Sequence, residues 1–256
     1  MKMLDIEQLT KYFNRGTPSE VVALDHVSLA MEEKEFLVII GSNGSGKTTL
    51  LNLIAGNYFA DAGSLSIQGI DVTSQPDYAR SKWIARVFQD PLKGTAPDLS
   101  ILENFRLASL RTKSKSLRTG INQLFRKRVQ ELVSVLNLGL ENKLDTLVGK
   151  LSGGQRQALT LLMATMDQPK LLLLDEPTAA LDPRSSAVVM ELANRIITVQ
   201  QLTAILVTHN LKQALDYGSR LIMMDSGQIK RDFQQIEKST LQLADMQQWF
   251  YESAAV

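Results

Sequence analysis

A glycine-rich octapeptide, Gly41-Ser42-Asn43-Gly44-Ser45-Gly46-Lys47-Thr48, is the feature that most restricts the fold. It matches the pattern G-x-x-x-x-G-K-[ST] and lies between a short apolar run, residues 36–40, and a run with helical spacing, residues 49–55. A phosphate-binding loop needs this strand–turn–helix order, because glycines let the backbone point several N–H groups at one anion. The pattern therefore predicts a buried strand that leads into an anion site at a helix N-terminus.

The polar groups of this loop suit a nucleoside triphosphate with its magnesium ion. Lys47 can reach the β- and γ-phosphates, and the Thr48 hydroxyl can ligate Mg²⁺. The helix N-terminus adds its partial positive charge. The residues that we expect to contact the nucleotide here are Gly41, Ser42, Asn43, Gly44, Ser45, Gly46, Lys47, Thr48 and Thr49.

Composition narrows the class of protein. The 256 residues are 44% hydrophobic, enough to bury a real core. The net charge of +1 gives no argument for nucleic acid as a partner. The absence of cysteine excludes disulfides and thiolate metal sites. No run of 18 apolar residues occurs, so we expect the chain not to span a membrane by itself.

The order of apolar runs predicts an α/β fold. Residues 4–12 and 21–31 alternate as strands of an N-terminal β layer. Further strands are expected at residues 63–69, 84–88, 171–174, 204–208 and 221–224, and helices at residues 152–166, 183–199 and 211–217, with a helical region over residues 100–137. Alternating strands and helices favour a mostly parallel sheet with crossover connections.

Two acidic side chains follow one of these strands directly. Asp175 and Glu176 come after the apolar run 171–174, which flanking prolines mark as a buried strand. We expect this strand to lie next to the strand of residues 36–40, which would place Asp175 beside Thr48 as a magnesium ligand. Glu176 points in a different direction and could orient or deprotonate an attacking water.

Gln89 and His209 also follow predicted strands. The neutral amide of Gln89 can contact both Mg²⁺ and a water without adding charge. A lone histidine is more often structural than catalytic. His209, however, ends a strand on the same side of the predicted sheet, where open parallel sheets bind ligands, and this favours a contact with the terminal phosphate.

Over about residues 4–232 the chain resembles the nucleotide-binding subunit of an ATP-binding cassette (ABC) transporter. The segment that separates this family from other ATPases with a phosphate-binding loop is Leu151-Ser152-Gly153-Gly154-Gln155, its signature sequence. The other motifs follow in the family's order: Walker A at residues 41–48, the Q-loop at Gln89, Walker B at residues 171–176, the D-loop at residues 180–182 and the switch histidine at His209.

The resemblance implies a reaction and the residues that carry it. The fold would be a P-loop NTPase of the ABC type, with an N-terminal antiparallel β layer and an inserted α-helical subdomain. The cofactors would be ATP and Mg²⁺. The catalytic residues would be Glu176, His209, Gln89 and Lys47, and the metal ligands Thr48, Gln89 and Asp175. Outside the octapeptide and Thr49, the nucleotide would contact Phe13, Gln89, Ser152, Gly153, Gly154, Gln155 and Asp182.

The resemblance also implies an assembly. Two copies would pack head-to-tail, so that each signature sequence closes on the γ-phosphate of the ATP held by the other copy. This closure would drive separate integral membrane permease subunits, with a solute-binding protein acting through the permease. The chain would lie peripherally on the cytoplasmic face of the inner membrane. Residues 87–97 resemble a bacterial subgroup paired with binding-protein-dependent permeases, so we expect import. An exporter ATPase is the alternative; a soluble ABC-type ATPase is disfavoured by the single cassette and the absence of cysteine.

The resemblance predicts one ABC ATPase domain over residues 1–256. Residues 1–89 and 166–233 would form a RecA-like core with the β layer, residues 90–165 the α-helical signature subdomain, and residues 234–256 a short C-terminal tail.

Two features of the sequence each allow two interpretations. By spacing alone, an aromatic residue near position 13 is either half-buried packing or a platform for adenine; the resemblance favours Phe13 for the adenine, with Tyr12 as the alternative. The basic segment 111–128 is either a solvated surface or a contact for lipid headgroups or the permease. Its basic residues are Arg111, Lys113, Lys115, Arg118, Arg126, Lys127 and Arg128.

Overall fold

The computed structural model describes residues 2–111 and 120–254. The first half of the chain contains β1 (Lys2–Phe13), β2 (Val21–Glu32), β3 (Phe36–Ile40), α1 (Lys47–Ala55), β4 (Ala62–Ile67), β5 (Ile70–Asp71), α2 (Asp77–Arg80), β6 (Ile84–Val87), α3 (Ile101–Ala108) and α4 (Gln123–Ser134). The second half contains α5 (Gly153–Thr165), β7 (Leu171–Asp175), α6 (Pro183–Gln200), β8 (Thr203–Val207), α7 (Leu211–Asp216), β9 (Arg220–Asp225), β10 (Gln228–Phe233), α8 (Gln235–Lys238) and α9 (Leu243–Ala254).

The strands form two sheets. An antiparallel sheet has the order β2-β1-β4-β5, and a larger sheet has the order β10-β9-β3-β8-β7-β6. In the larger sheet every pairing is parallel except that of β10 with β9. Every residue of β3, β7 and β8 is buried, which is the pattern of strands covered on both faces. The predicted parallel α/β core with an antiparallel N-terminal layer is confirmed.

One prediction about strand order is wrong. The strand that ends at Asp175 does not pair with β3, because β8 lies between β7 and β3. Leu206 of β8 pairs with Val38 on one side and with Leu174 on the other. Sequence shows which segments are strands, but the crossover through α6 decides that β8 enters between them. The edge that carries the polar side chains is therefore one strand wider than expected.

Alternate residues of β3 face two different cores. Val38 and Ile40 pack in a core with α5, α6 and the C-terminal helices. Leu37 and Ile39 pack in a core between the two sheets, together with the apolar side of α1. Because side chains alternate along a strand, this single buried strand ties the two cores together. The loop at its end therefore starts from a rigid point.

The helical region between the Q-loop position and the signature sequence is built on α3, α4 and α5. Ser100 caps α3: its Oγ accepts from the Glu103 N–H at 3.3 Å, and the Glu103 carboxylate accepts from the Ser100 N–H at 2.8 Å. This reciprocal pair is a capping box, and the order Ser100-Ile101-Leu102-Glu103 in the sequence predicts it.

In the basic segment, Lys113, Lys115 and Arg118 lie outside the described residues. Of the rest, Arg126 makes an exposed ion pair with Asp145.

The segment after Phe233 folds back on the core through α8 and α9. Met246 of α9 is fully buried, and the Trp249 ring stacks on the Phe233 ring with centroids 5.0 Å apart. Lys238 donates to the carbonyls of Tyr217 and Gly218 at the C-terminal end of α7. Burial lowers the pKa of Lys238 to about 8.

Over residues 2–111 and 120–254, no helix is both long and apolar enough to cross a membrane.

A buried arginine holds the C-terminal end of α1. Arg80 is 1% exposed, and its guanidinium donates to the carbonyls of Leu53 at 2.5 Å and Ile54 at 2.9 Å, which are the last turn of α1. It also donates to the carbonyls of Gln75 and Thr73. Burial lowers the pKa of Arg80 to about 10.

We expect Arg80→Met to lower the free energy of unfolding by about 3 kcal/mol, because buried carbonyls of α1 and its neighbouring loop lose their donor. Urea denaturation followed by circular dichroism measures the change. Arg126→Met is the control, since it removes an exposed pair; its midpoint should barely move. Equal losses in the two variants would show that the Arg80 contacts do not hold the fold.

Candidate nucleotide-binding site

The glycine-rich octapeptide forms a tight turn between β3 and α1. Gly46, at the N-terminus of α1, has a φ of 98°, and a Cβ there would lie 2.5 Å from the Ala23 carbonyl oxygen. A Cβ on Gly41 would collide with the Met224 carbonyl oxygen. Only glycine fits both positions. Ser42, Asn43 and Gly44 are exposed at the tip of the turn, where a ligand has access.

Lys47 lies folded back inside this turn. Its Nζ donates to the carbonyls of Gly41 at 2.9 Å and Ser42 at 2.7 Å, and to the Ser45 hydroxyl at 3.3 Å. The residue is 6% exposed, and burial lowers the pKa of its ammonium group, while the charges of Glu176 and Asp175 oppose that shift. An anion bound in the turn would stabilise the ammonium further. The loop therefore holds a largely desolvated positive charge at the N-terminus of α1.

Four strand ends meet at one edge of the larger sheet. Because β3, β8, β7 and β6 are parallel and adjacent in that order, their carboxyl ends lie side by side. They carry, in turn, the octapeptide, His209, Asp175 with Glu176, and Gln89. The side chains predicted from separate segments are thus brought to the same edge, as ligand sites of parallel sheets require.

Glu176 and His209 contact each other directly. The Nδ1 atom of His209 lies 2.9 Å from the Oε2 atom of Glu176. Glu176 has a φ of 44°, a left-handed backbone that is uncommon for a residue with a side chain, and its N–H donates to the Val207 carbonyl at 3.0 Å. The Glu176 carboxylate thus contacts a side chain that follows β8.

The residues predicted to hold magnesium line one cleft. Thr48, Gln89 and Asp175 lie along a cleft of about 550 Å³, together with Arg86 and Tyr58. A hydroxyl, an amide and a carboxylate supply oxygen donors, which suit Mg²⁺ when phosphate oxygens complete its shell. Among the described residues, no three His, Cys, Asp or Glu side chains gather as a metal cluster. The oxygen donors of Thr48, Gln89 and Asp175 therefore suit a magnesium ion that also binds phosphate oxygens.

Sequence reasoning missed the partner of Asp175. Arg86, on β6, donates from one guanidinium nitrogen to the Oδ2 atom of Asp175 at 2.5 Å. Both side chains are about nine-tenths buried. The only available signal was a charged residue inside an otherwise apolar strand, Ile84-Ala85-Arg86-Val87.

An aromatic pair stands beside the cleft. The Phe13 ring meets the Tyr58 ring edge-to-face, with centroids 5.5 Å apart, and the Lys11 ammonium lies 5.8 Å from the Phe13 centroid. Tyr12 instead lies under the guanidinium of Arg15. The contact with Tyr58, a residue that lines the cleft, favours Phe13 over Tyr12 as the aromatic that meets a base.

The signature sequence forms a second helix N-terminus. The Ser152 hydroxyl accepts from the Gln155 N–H at 3.3 Å, and the Gln155 side chain accepts from the Ser152 N–H at 3.1 Å. Ser152 and Gly153 are exposed. Gly154 lies so close to Ser185 of α6 that a Cβ would come within 2.8 Å of it. The turn is thus stabilised by its own cap and is open toward solvent.

Asp182 caps α6, which starts beside this turn. Its carboxylate accepts from the N–H groups of Arg184 at 3.1 Å and Ser185 at 3.0 Å. Hydrogen bonds from the Ser185 side chain and from these backbone groups lower the pKa of Asp182. The structure therefore gives Asp182 a local structural role in addition to the contact that the sequence predicts.

Two buried amides that the sequence analysis did not single out connect the site to its surroundings. Gln213 accepts from the Thr208 hydroxyl at 3.0 Å and donates to the Thr178 hydroxyl at 3.1 Å, which joins the His209 loop to the segment after β7. Gln157 of α5 donates to the Phe88 carbonyl at 3.0 Å, next to Gln89. Both side chains are amides at most 9% exposed, and each links two segments that are far apart in the sequence.

Comparison with known proteins decides the family. A profile described as ABC transporter matches residues 24–179. A tyrosine transport ATP-binding protein of Clostridioides difficile (strain R20291) is 41% identical over 254 residues, covering 97% of this chain and 98% of the relative. The chain belongs to the ABC transporter family. It is an ATP-binding subunit and an ATPase of that family.

Other ABC proteins share the whole cassette. The phosphonates import ATP-binding protein PhnC of Frankia casuarinae (strain DSM 45818 / CECT 9043 / HFP020203 / CcI3) is 35% identical over 237 residues, covering 91% of this chain and 90% of the relative. Among solved structures, the dimeric ATP-binding cassette MJ0796, in a post-hydrolysis state with ADP and Pi, is 29% identical with a TM-score of 0.77. That match covers 91% of this chain and 99% of the other. The predicted ABC-type fold and ATPase activity are confirmed.

Proposed function

We propose that two copies of this ABC ATPase bind two MgATP between them and hydrolyse both. The observation that supports this most directly is the placement of the signature turn. Of the described residues that line the cleft at Thr48 and Asp175, none belongs to the signature segment, residues 151–155. A second phosphate-binding turn that does not reach the cleft of its own chain is suited to the ATP held by another copy. The dimeric cassette structures among its relatives support the same arrangement.

Each site residue then has a proposed role. The octapeptide amides, Thr49 and Lys47 hold the phosphates, and Phe13 meets the adenine. Glu176 takes a proton from the attacking water, while His209 holds Glu176 through the observed contact and touches the terminal phosphate. Thr48, Gln89 and Asp175 hold magnesium, which neutralises phosphate charge when bound. Ser152, Gly153, Gly154, Gln155 and Asp182 complete the site of the other copy.

Binding and hydrolysis of the two triphosphates that join the copies would convert this reaction into motion. Before hydrolysis, two triphosphates hold the copies together; after it, the bridge is broken and the copies separate. We propose that residues 90–165 move as the α-helical subdomain against a core of residues 1–89 and 166–233, with Gln89 as the hinge. Gln157 would transmit the shift, because it joins α5 to the residue before Gln89.

We further propose that the work is import of an amino acid. A relative 41% identical over nearly the whole chain is named for tyrosine transport. Several other relatives are named for import of phosphonates, sulfate or polyamines, so the cassette alone does not select a solute. The chain would act from the cytoplasmic face of the inner membrane through integral permease subunits. A solute-binding protein would deliver the solute to these subunits.

Export is the second candidate, because a lipoprotein-releasing ATP-binding protein of Chlorobium chlorochromatii (strain CaD3) is 34% identical over 245 residues.

Proteoliposomes test direction and solute together. The chain is reconstituted with the permease that co-purifies with it, with ATP enclosed on the side of the ATPase. We expect labelled tyrosine to accumulate on that side when its binding protein is present outside, because an importer moves solute toward its ATPase. A Glu176→Gln complex is the matched control and should not accumulate tyrosine. Movement of solute away from the ATPase would show an exporter. Accumulation of a different solute alone would show that tyrosine is not the transported solute.

A further inference from the structure

Arg86 lies within hydrogen-bonding distance of the carboxylate that is proposed to bind magnesium. Its β6 position pairs with Leu173 of β7, so its side chain runs along the sheet toward Asp175, two residues further on. The ion pair at 2.5 Å is buried, with 11% of the Arg86 side chain and 10% of the Asp175 side chain exposed. The guanidinium therefore places a positive charge directly against this carboxylate.

Three neutral groups hold the guanidinium in place independently of Asp175. One nitrogen donates to the Asn52 Oδ1 at 2.6 Å and to the Asn57 Oδ1 at 3.1 Å. The Phe88 ring lies under it, 4.8 Å from the guanidinium carbon to the ring centroid. Loss of the Asp175 bond alone would therefore not release Arg86. A metal ion that uses Asp175 has to share the carboxylate with a fixed cation.

We infer that Arg86 is a built-in counter-cation of Asp175 that weakens Mg²⁺ binding at the nucleotide site. Two cations close to one carboxylate repel each other, and in a largely desolvated cleft salt screens this repulsion little. Arg86 also neutralises one of two neighbouring acids, Asp175 and Glu176, whenever magnesium is not bound. The same residue thus stabilises the protein without metal and lowers the affinity for metal with nucleotide.

This inference rests on the proposed magnesium–nucleotide site, and its test uses binding and melting rather than turnover. The affinity of a fluorescent non-hydrolysable ATP analogue is measured while MgCl₂ is titrated. For Arg86→Gln, we expect half-saturation at an Mg²⁺ concentration at least about threefold lower than for the unchanged chain. Arg86→Lys keeps the positive charge, so its Mg²⁺ concentration at half-saturation should remain close to that of the unchanged chain. An unchanged or higher half-saturation for Arg86→Gln overturns the inference.

Thermal melting gives an independent reading. Without metal and nucleotide, Arg86→Gln should melt about 3–8 °C below the unchanged chain, because a buried carboxylate loses its partner. With saturating Mg²⁺ and analogue, the difference should shrink, since the metal then serves Asp175. Arg220→Met is the matched control: Arg220 is also 11% exposed and pairs with Glu35 and Asp232, away from the site. The drop in melting temperature caused by Arg220→Met should be the same with and without Mg²⁺ and analogue. If the drop caused by Arg86→Gln is equally constant, the inference is overturned.

The outcomes separate this inference from the proposed function. If the unchanged chain binds the analogue without any dependence on Mg²⁺, the proposed metal site fails and the inference fails with it. If the unchanged chain shows the dependence and Arg86→Gln does not shift it, only the inference fails. Should Arg86→Gln not fold, Asn57→Leu removes one anchor of the guanidinium from an exposed position. Asn57→Leu should also lower the Mg²⁺ concentration at half-saturation. The absence of a shift in this variant would likewise overturn the inference.

Discussion

Glu176→Gln should bind MgATP normally but hydrolyse it about 10²–10⁴ times more slowly, which is the contribution expected of a positioned general base. The amide has nearly the same shape as the carboxylate and can keep the contact with His209, but it cannot take a proton from water. The triphosphates that join two copies would therefore persist. We expect this variant to elute as a dimer from a sizing column with MgATP and as a monomer without it, while phosphate release measures turnover.

Asp225→Asn is the matched control for Glu176→Gln. Asp225 also ends a parallel strand of the larger sheet, and its carboxylate accepts from the adjacent Ser226 hydroxyl at 3.3 Å. Turnover of this variant should stay within about twofold of the unchanged chain, as for a residue outside the site. If Glu176→Gln retains more than about a tenth of normal turnover, the base lies elsewhere. If it remains monomeric with MgATP, two copies do not share the nucleotide.

Mixing two inactive variants should restore ATP hydrolysis. Lys47→Ala removes the buried ammonium, so MgATP affinity should fall about 10- to 100-fold and turnover should be lost. Ser152→Asp keeps a residue that caps helices well but places a negative charge where the other copy's γ-phosphate would lie. In a head-to-tail dimer of the two, both defects fall in one site and the other site is intact. A 1:1 mixture should recover up to about a quarter of normal turnover, since half of the dimers are mixed.

Two controls sharpen this result. A chain carrying both Lys47→Ala and Ser152→Asp, mixed with the unchanged chain, damages both sites of every mixed dimer and should add no activity. Ser152→Asn caps the helix without the charge and should lose much less turnover than Ser152→Asp. If mixing the two single variants restores nothing while each still folds, every site is made within one chain and the proposed assembly is wrong.

Local sequence determined much of the phosphate site. The octapeptide is readable because its backbone allows so few residues: Gly41 and Gly46 sit where a Cβ would collide with neighbouring backbone. Glycine spacing therefore records the shape of the loop directly. Likewise, uninterrupted apolar runs predicted β3 and β7, because strands covered on both faces have no polar positions. The Ser100 cap could also be predicted from the sequence, because its contacts lie within one turn of the chain.

Contacts between distant segments were decided only by the tertiary structure. The crossover through α6 places β8 between β3 and β7, and no local pattern encodes that order. The Arg86–Asp175 pair joins residues 89 positions apart, and the Glu176–His209 contact joins residues 33 apart. Sequence alone could name these side chains as chemically capable. Which of them share a charge or a proton depends on strand neighbours, because an ion pair or hydrogen bond forms only over a few ångströms that packing sets.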